Sequence, residues 1–214
     1  MLRKRILSAL ILAPLTLAAT WIGSWVFALL VGAGAAIAAW EWIRLCGWSL
    51  WWIVAGAAYI GLPVAALLWL RLGTGQDRET ALWLLLVVWA TDSAAYAAGR
   101  LVGGWRLMPT ISPNKTWAGL IGGIAGAALV GAAAGAVLGL DARILAGAGA
   151  LLALVAQGGD LLESAIKRRF GAKDSGTLIP GHGGLLDRID GLMTAAPVAA
   201  VLCLVEGGGI TTWR

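Results

Sequence analysis

Seven apolar runs, each close to the roughly 20 residues that a helix needs to cross the hydrocarbon core of a bilayer, take up most of this chain. They fall at about 6–21, 25–43, 50–70, 80–99, 117–139, 143–161 and 191–207. In lipid, backbone N–H and C=O groups must pair within their own segment, so such runs predict helices. Stretches such as Ala81–Ala90 and Ile124–Leu140 are apolar on every face and lack the period-two alternation of a membrane barrel. The reading is an all-α, polytopic membrane protein with about seven transmembrane helices. It predicts a single integral-membrane domain over residues 1–214, with the polar residues suited to chemistry in the half at about 80–207. Only 13% of residues are charged, against roughly 25% in a soluble domain. The first run follows Arg3, Lys4 and Arg5 and reads as an uncleaved span, because no small-residue cleavage site precedes Trp21. Pro63, inside the third run, predicts a kink or a break.

The basic residues report topology. With the N-terminus inside, twelve of the 16 Lys and Arg residues lie in inside segments. Only Arg71, Arg78, Arg143 and Arg214 lie outside. This distribution satisfies the positive-inside rule and puts both long polar loops, 100–116 and 162–190, on the cytoplasmic side. The net charge of +5 and pI near 9.8 therefore give no reason to expect nucleic acid as a partner. Cys46 and Cys203 have no metal-ligand spacing and imply no disulfide framework. Thirteen tryptophans crowd the span ends, among them Trp40, Trp42, Trp48, Trp51, Trp105 and Trp117, which predicts interfacial anchoring. Glycines four apart in the fifth run (Gly119/Gly123, Gly122/Gly126 and Gly131/Gly135/Gly139) predict close helix packing, within one chain or between two copies in a homodimer.

Polar chemistry is concentrated in one place. Asp160 to Asp190 holds ten of the chain's charged residues and its only histidine, His182. DLLESAIKRR continues the sixth helix, placing Asp160, Glu163 or Ser164, and Lys167 on one face. A carboxylate at that depth is costly and is by default a functional hypothesis. Glycines and Pro180 then form a tight loop ahead of Asp187 and Asp190, which sit i, i+3 at the start of the last helix. Asp160, Asp187 and Asp190 offer hard oxygen donors for Mg²⁺, with a second cation left open. Lys167, Arg168, Lys173 and Arg188 are cations able to hold phosphates. Arg169 reads equally well as a contact to anionic headgroups. His182 reads as a substrate contact or a loop-shaping residue rather than a ligand.

A second patch lies in the other polar loop. Ser112, Asn114, Lys115 and Thr116 precede the fifth helix, whose N-terminus attracts anions. Ser112 or Asn114 also reads as an ordinary helix cap. Asp92, near the end of the fourth helix, is either a substrate contact or a carboxylate paired with Arg100 or a tyrosine.

Ser164-x-x-Lys167-Arg168-x-x-x-x-Lys173-Asp174, continuing to Pro180-Gly181-His182-Gly183-Gly184-x-x-Asp187-Arg188-x-Asp190, resembles the signature of phosphatidate cytidylyltransferases. TDSAAYAAGR and SPNKTWAGLIGG resemble the same family, and the likeness covers roughly residues 40–207. Ala94 departs from the pattern, standing where the family has glycine after the Asp-Ser pair. The resemblance implies a reaction of phosphatidic acid with CTP, giving CDP-diacylglycerol and pyrophosphate with Mg²⁺ bound at Asp160, Asp187 and the nearby Asp190. It also implies membrane lipids as neighbours and a bacterial-type cytoplasmic membrane as the location. The D-G-x-x-A-R opening of a CDP-alcohol phosphotransferase is not found. A solute transporter has no use for a glycine-bounded loop so rich in cations.

Overall fold

The computed structural model describes residues 2–73, 78–178 and 183–213, with side chains from Leu10 onward. Seven long helices follow one another: α1 (Leu2–Ile22), α2 (Ser24–Cys46), α3 (Leu50–Leu72), α4 (Arg78–Leu101), α5 (Trp117–Leu138), α6 (Ala142–Arg169) and α7 (Leu186–Val205). Helices α2 to α7 are long and apolar enough to cross a membrane, and α1 has a shorter apolar stretch, Leu10–Ile22. The chain is an all-α polytopic membrane protein. Each apolar run coincides with one helix. Two helices extend beyond the apolar runs: α6 continues to Arg169 and α7 begins at Leu186, so the charged segment is helical at both ends. Helix α3 runs unbroken through the buried Pro63, where the sequence predicted a kink or a break. Successive helices alternate in direction. The ends of α2, α4 and α6 and the starts of α3, α5 and α7 therefore share one face of the bundle.

The glycines of α5 do what their spacing predicts, within one chain. A Cβ on Gly123 would stand 3.0 Å from the Thr91 carbonyl oxygen in α4, and one on Gly135 would stand 2.6 Å from Cα of Ala142 in α6. Gly139 has a different task, closing α5 as a left-handed cap with φ 69°. Ala94 belongs to the same contact, because a Cβ on Gly126 would stand 2.5 Å from the Ala94 methyl. The Ala94 methyl is therefore accommodated by a glycine on the facing helix.

The tryptophans divide. Trp48, Trp51 and Trp105 are exposed, as anchoring requires, but Trp42, Trp83 and Trp213 are buried. Trp42 donates from Nε1 to the Trp52 carbonyl at 2.7 Å, so it packs the core rather than the interface. On the far face, Arg71 donates to the Thr20 and Trp21 carbonyls at 2.6 and 3.1 Å. Arg78 lies 4.1 Å over the Trp21 ring. A cation on the last carbonyls of a helix complements its dipole, and these contacts fasten α1 to the bundle.

The loop between α4 and α5 is not irregular. Strands β1 (Arg106–Met108) and β2 (Ser112–Thr116) pair antiparallel, Arg106 opposite Thr116 and Met108 opposite Ser112. Arg106 donates to the Pro113 carbonyl across this hairpin. Ser112 and Asn114 are thus strand residues, not helix caps. The cap is Thr116, whose extended backbone (φ −122°, ψ 157°) lets its hydroxyl accept from the Gly119 N–H at 3.0 Å.

Candidate active site

The shared face brings five chain segments around one polar cavity of about 670 Å³, one of them the loop after α6, which contributes Asp174. Helix α4 contributes Asp92 and Arg100. The hairpin and the start of α5 contribute Asn114, Lys115 and Thr116. Helix α6 contributes Asp160 and Lys167, and α7 contributes Asp187, Arg188 and Asp190. Ser112, Ser164, Arg168 and Lys173 do not line the cavity. Ser164 donates to Asp160 Oδ1 at 3.3 Å and steadies that carboxylate. Arg168 points away: its Nε donates to the Ile111 carbonyl at 3.3 Å and its Nη1 to the Ala172 carbonyl at 3.0 Å, bracing the hairpin against the end of α6. Lys173 is exposed on the following loop. His182 lies outside the described residues.

Four of the charged groups inside the cavity are paired. Lys115 Nζ is 2.5 Å from Asp160 Oδ2. Lys167 Nζ bridges two carboxylates, 3.0 Å from Glu163 Oε1 and 2.5 Å from Asp187 Oδ1, with all three side chains almost fully buried. Of the cations expected from the sequence to face phosphates, Lys115 and Lys167 are therefore each engaged with a carboxylate from another segment, Asp160 and Asp187. The i, i+4 spacing of Glu163 and Lys167 follows from the helix. The bridge to Asp187 joins α6 to α7. Asp190 Oδ1 accepts from the N–H of the next residue, Gly191, at 2.8 Å. Arg100 donates to the Tyr96 hydroxyl at 2.9 Å, so the expected alternative of an Arg100 partner for Asp92 is not formed, and Asp92 stands on the cavity wall.

Asp187 is held on every side. Its second oxygen, Oδ2, accepts from the Ser175 N–H at 2.9 Å and the Gly184 N–H at 2.8 Å, so the carboxylate closes the loop that leads into its own helix. This explains the paired glycines. A Cβ on Gly183, at φ 87°, would fall 2.7 Å from Asp187 Oδ2. One on Gly184 would fall 2.6 Å from the carboxylate of Glu41, a residue of α2 that is 0% exposed. Sequence reasoning missed Glu41. Its signal was an acidic residue in an apolar stretch, disguised by the neighbouring tryptophans and Arg44 as part of a membrane interface. Gly184→Ala is expected to lower turnover by on the order of 10–100-fold through displacement of this loop. Gly147→Ala, whose Cβ meets nothing within 4 Å, is expected to leave turnover unchanged in the same steady-state assay.

A second cavity, of about 540 Å³, lies deeper in the bundle between α1, α2, α3, α4 and α7. Its walls are apolar, among them Phe27, Val31, Leu85, Trp89 and Met193, apart from Thr16, Thr20, Ser93 and Arg188. Arg188 also lines the polar cavity, so the two cavities share this residue.

Fold and site together define a polytopic membrane protein whose acid–base cavity at one face adjoins an apolar one within the bundle. A profile of the "Cytidylyltransferase family" matches residues 46–205. A phosphatidate cytidylyltransferase of Brucella suis is 39% identical over 91% of this chain and 90% of its own length. Those of Rickettsia felis and Pseudomonas aeruginosa are 35% and 33% identical, covering 91% and 98% of this chain and 88% and 99% of their own lengths. The chain belongs to the cytidylyltransferase family.

Proposed function

We infer that the protein is a phosphatidate cytidylyltransferase, transferring CMP from CTP to phosphatidic acid to give CDP-diacylglycerol and pyrophosphate. The observation that carries this reading beyond the family match is the junction at Arg188 of a polar cavity and an apolar one. A reaction between a nucleotide and a lipid needs both kinds of space within reach of one phosphate. CTP occupies the polar cavity, with the N-terminal end of α5 and Arg100 near its phosphates. Phosphatidic acid places its acyl chains in the apolar cavity and its phosphate at Arg188. An oxygen of the lipid phosphate, anionic at neutral pH, attacks the α-phosphorus of CTP. The new P–O bond forms as the bond to the β-phosphate oxygen breaks, and pyrophosphate leaves. Neither a covalent enzyme intermediate nor a general base is required, and positioning with charge neutralisation supplies most of the catalysis.

Mg²⁺ fits this site in a particular way. Among the described residues, no three His, Cys, Asp or Glu side chains gather into a metal-holding group. Both oxygens of Asp187 are taken by Lys167 and two backbone N–H groups. Mg²⁺ usually binds through one or two carboxylates, its other positions going to water and substrate phosphates. Asp160, 32% exposed with one partner on each oxygen, and Asp190 on the cavity wall supply that number, while Asp187, 5% exposed and with two N–H donors on Oδ2 alone, positions the loop and Lys167 rather than coordinating. When bound with the nucleotide, Mg²⁺ neutralises charge on the leaving pyrophosphate. The face carrying the site also carries most of the basic residues, which supports a cytoplasmic orientation in a bacterial inner membrane.

In purified protein, pyrophosphate release from CTP is expected to require both phosphatidic acid and Mg²⁺. Release that ignores phosphatidic acid, or solute transport without turnover, would overturn the reading.

A further inference from the structure

Glu41 lies on α2, far in sequence from every residue of the cavity, yet its carboxylate reaches the segment that organises the cavity. Oε1 accepts from the Leu185 N–H at 2.8 Å, and Oε2 accepts from the Leu186 N–H at 2.9 Å and the Ser175 hydroxyl at 3.2 Å. The first N–H groups of a helix have no partner within it, and an anion there also meets the positive end of the dipole. Helix α7 has Leu185 at its cap position, a residue without a capping side chain. Glu41 performs that task from another helix. Glycine at 176 and 184 makes the approach possible, because a Cβ at either would lie 2.8 or 2.6 Å from a Glu41 oxygen.

Ser175 links this cap to the site. It gives its hydroxyl to Glu41 and its N–H to Asp187, while Gly184 gives its N–H to Asp187 one residue before the Leu185 N–H binds Glu41. Two carboxylates thus grip the same two points of chain, one from α2 and one from α7. Since Asp187 also holds Lys167, displacing the start of α7 moves Asp187, Lys167 and Arg188 together.

We propose that Glu41 is a positioning residue for cytidylyl transfer, fixing the start of α7 and the 175–185 loop ends so that Arg188 meets the reacting phosphates while Asp187 keeps its hold on Lys167. The proposal rests on the cytidylyltransferase reading. Glu41→Gln keeps the size of the side chain but leaves one oxygen to accept from two N–H groups and a hydroxyl. In full-length protein in detergent, kcat is expected to fall on the order of 10–100-fold with a folded, membrane-extracted yield near wild type. Hydrogen exchange of the amides at 185–186 is expected to speed up while α5 and α6 stay protected. Ser175→Ala is expected to lower kcat less, and adding it to Glu41→Gln is expected to cost little more, because both break one link. Turnover and exchange in Glu41→Gln equal to wild type overturn the proposal. So does a loss of kcat with unchanged exchange at 185–186, or a loss that merely tracks the fraction folded. Wild-type turnover in the same assay tests the cytidylyltransferase reading separately. The exchange measurement reads the cap whatever the enzyme's substrate.

Discussion

Replacing Lys167 by methionine is expected to destabilise the protein by about 3–5 kcal/mol and to abolish turnover. Methionine keeps most of the stem and removes only the ammonium, leaving Glu163 and Asp187 as two carboxylates facing each other, 2% and 5% exposed. Glu163 already has one buried oxygen, Oε2, with no hydrogen-bond partner among the described residues. Removing the shared cation makes that worse, and breaking one side of a buried pair costs far more than the pair contributes to stability. Asp187→Asn is expected to be milder for the fold, by about 2–3 kcal/mol, because Lys167 keeps Glu163 and only charged hydrogen bonds are lost. Arg169→Ala, at an exposed position on the same helix, is expected to change stability by no more than about 0.5 kcal/mol. Thermal unfolding of the three variants in one detergent, with turnover measured in parallel, checks the order. Equal losses for Lys167→Met and Arg169→Ala would show that the buried bridge does not hold α6 to α7.

That bridge also marks the limit of what the sequence could reveal. Span positions, the helical continuation through Asp160 to Arg169, and the placement of Asp187 and Asp190 at the start of a helix were all legible, because each follows from local periodicity and hydropathy. The glycine spacing in α5 was legible for the same reason. What remained hidden was pairing across sequence distance. Lys115 and Lys167 read as phosphate clamps because nothing local marks Asp160 as the partner of one, or Asp187 as a partner of the other. Arg168 has the same residue type as a phosphate ligand but braces the hairpin. The hairpin itself was read as a loop, since SPNKT carries proline and asparagine, which turns favour over strands. Glu41 was the hardest to see, because its role exists only when the end of α2 meets the start of α7.

Asp160 separates the chemistry from the scaffold. Its side chain is 32% exposed and its partner Lys115 is 20% exposed with the Nζ itself buried, so the pair is half open to solvent and contributes about 1 kcal/mol, the upper end for exposed pairs. Asp160→Asn is therefore expected to melt within a few degrees of wild type. Asparagine can still accept from Ser164, which holds the side chain in place. Turnover, by contrast, is expected to fall about 10²–10³-fold, the range seen when one preorganised electrostatic contact to the transition state is removed. Two roles for Asp160 predict different kinetics. If it is a Mg²⁺ ligand, Asp160→Asn shifts the Mg²⁺ concentration for half-maximal rate upward, while Lys115→Ala raises KM for CTP and leaves that Mg²⁺ dependence alone. If Asp160 only restrains Lys115, the two substitutions give the same kinetic change and their combination adds nothing. Wild-type turnover in Asp160→Asn would remove it from the metal site and leave Asp190 as the one unengaged candidate from the original three carboxylates, apart from its contact to the N–H of Gly191.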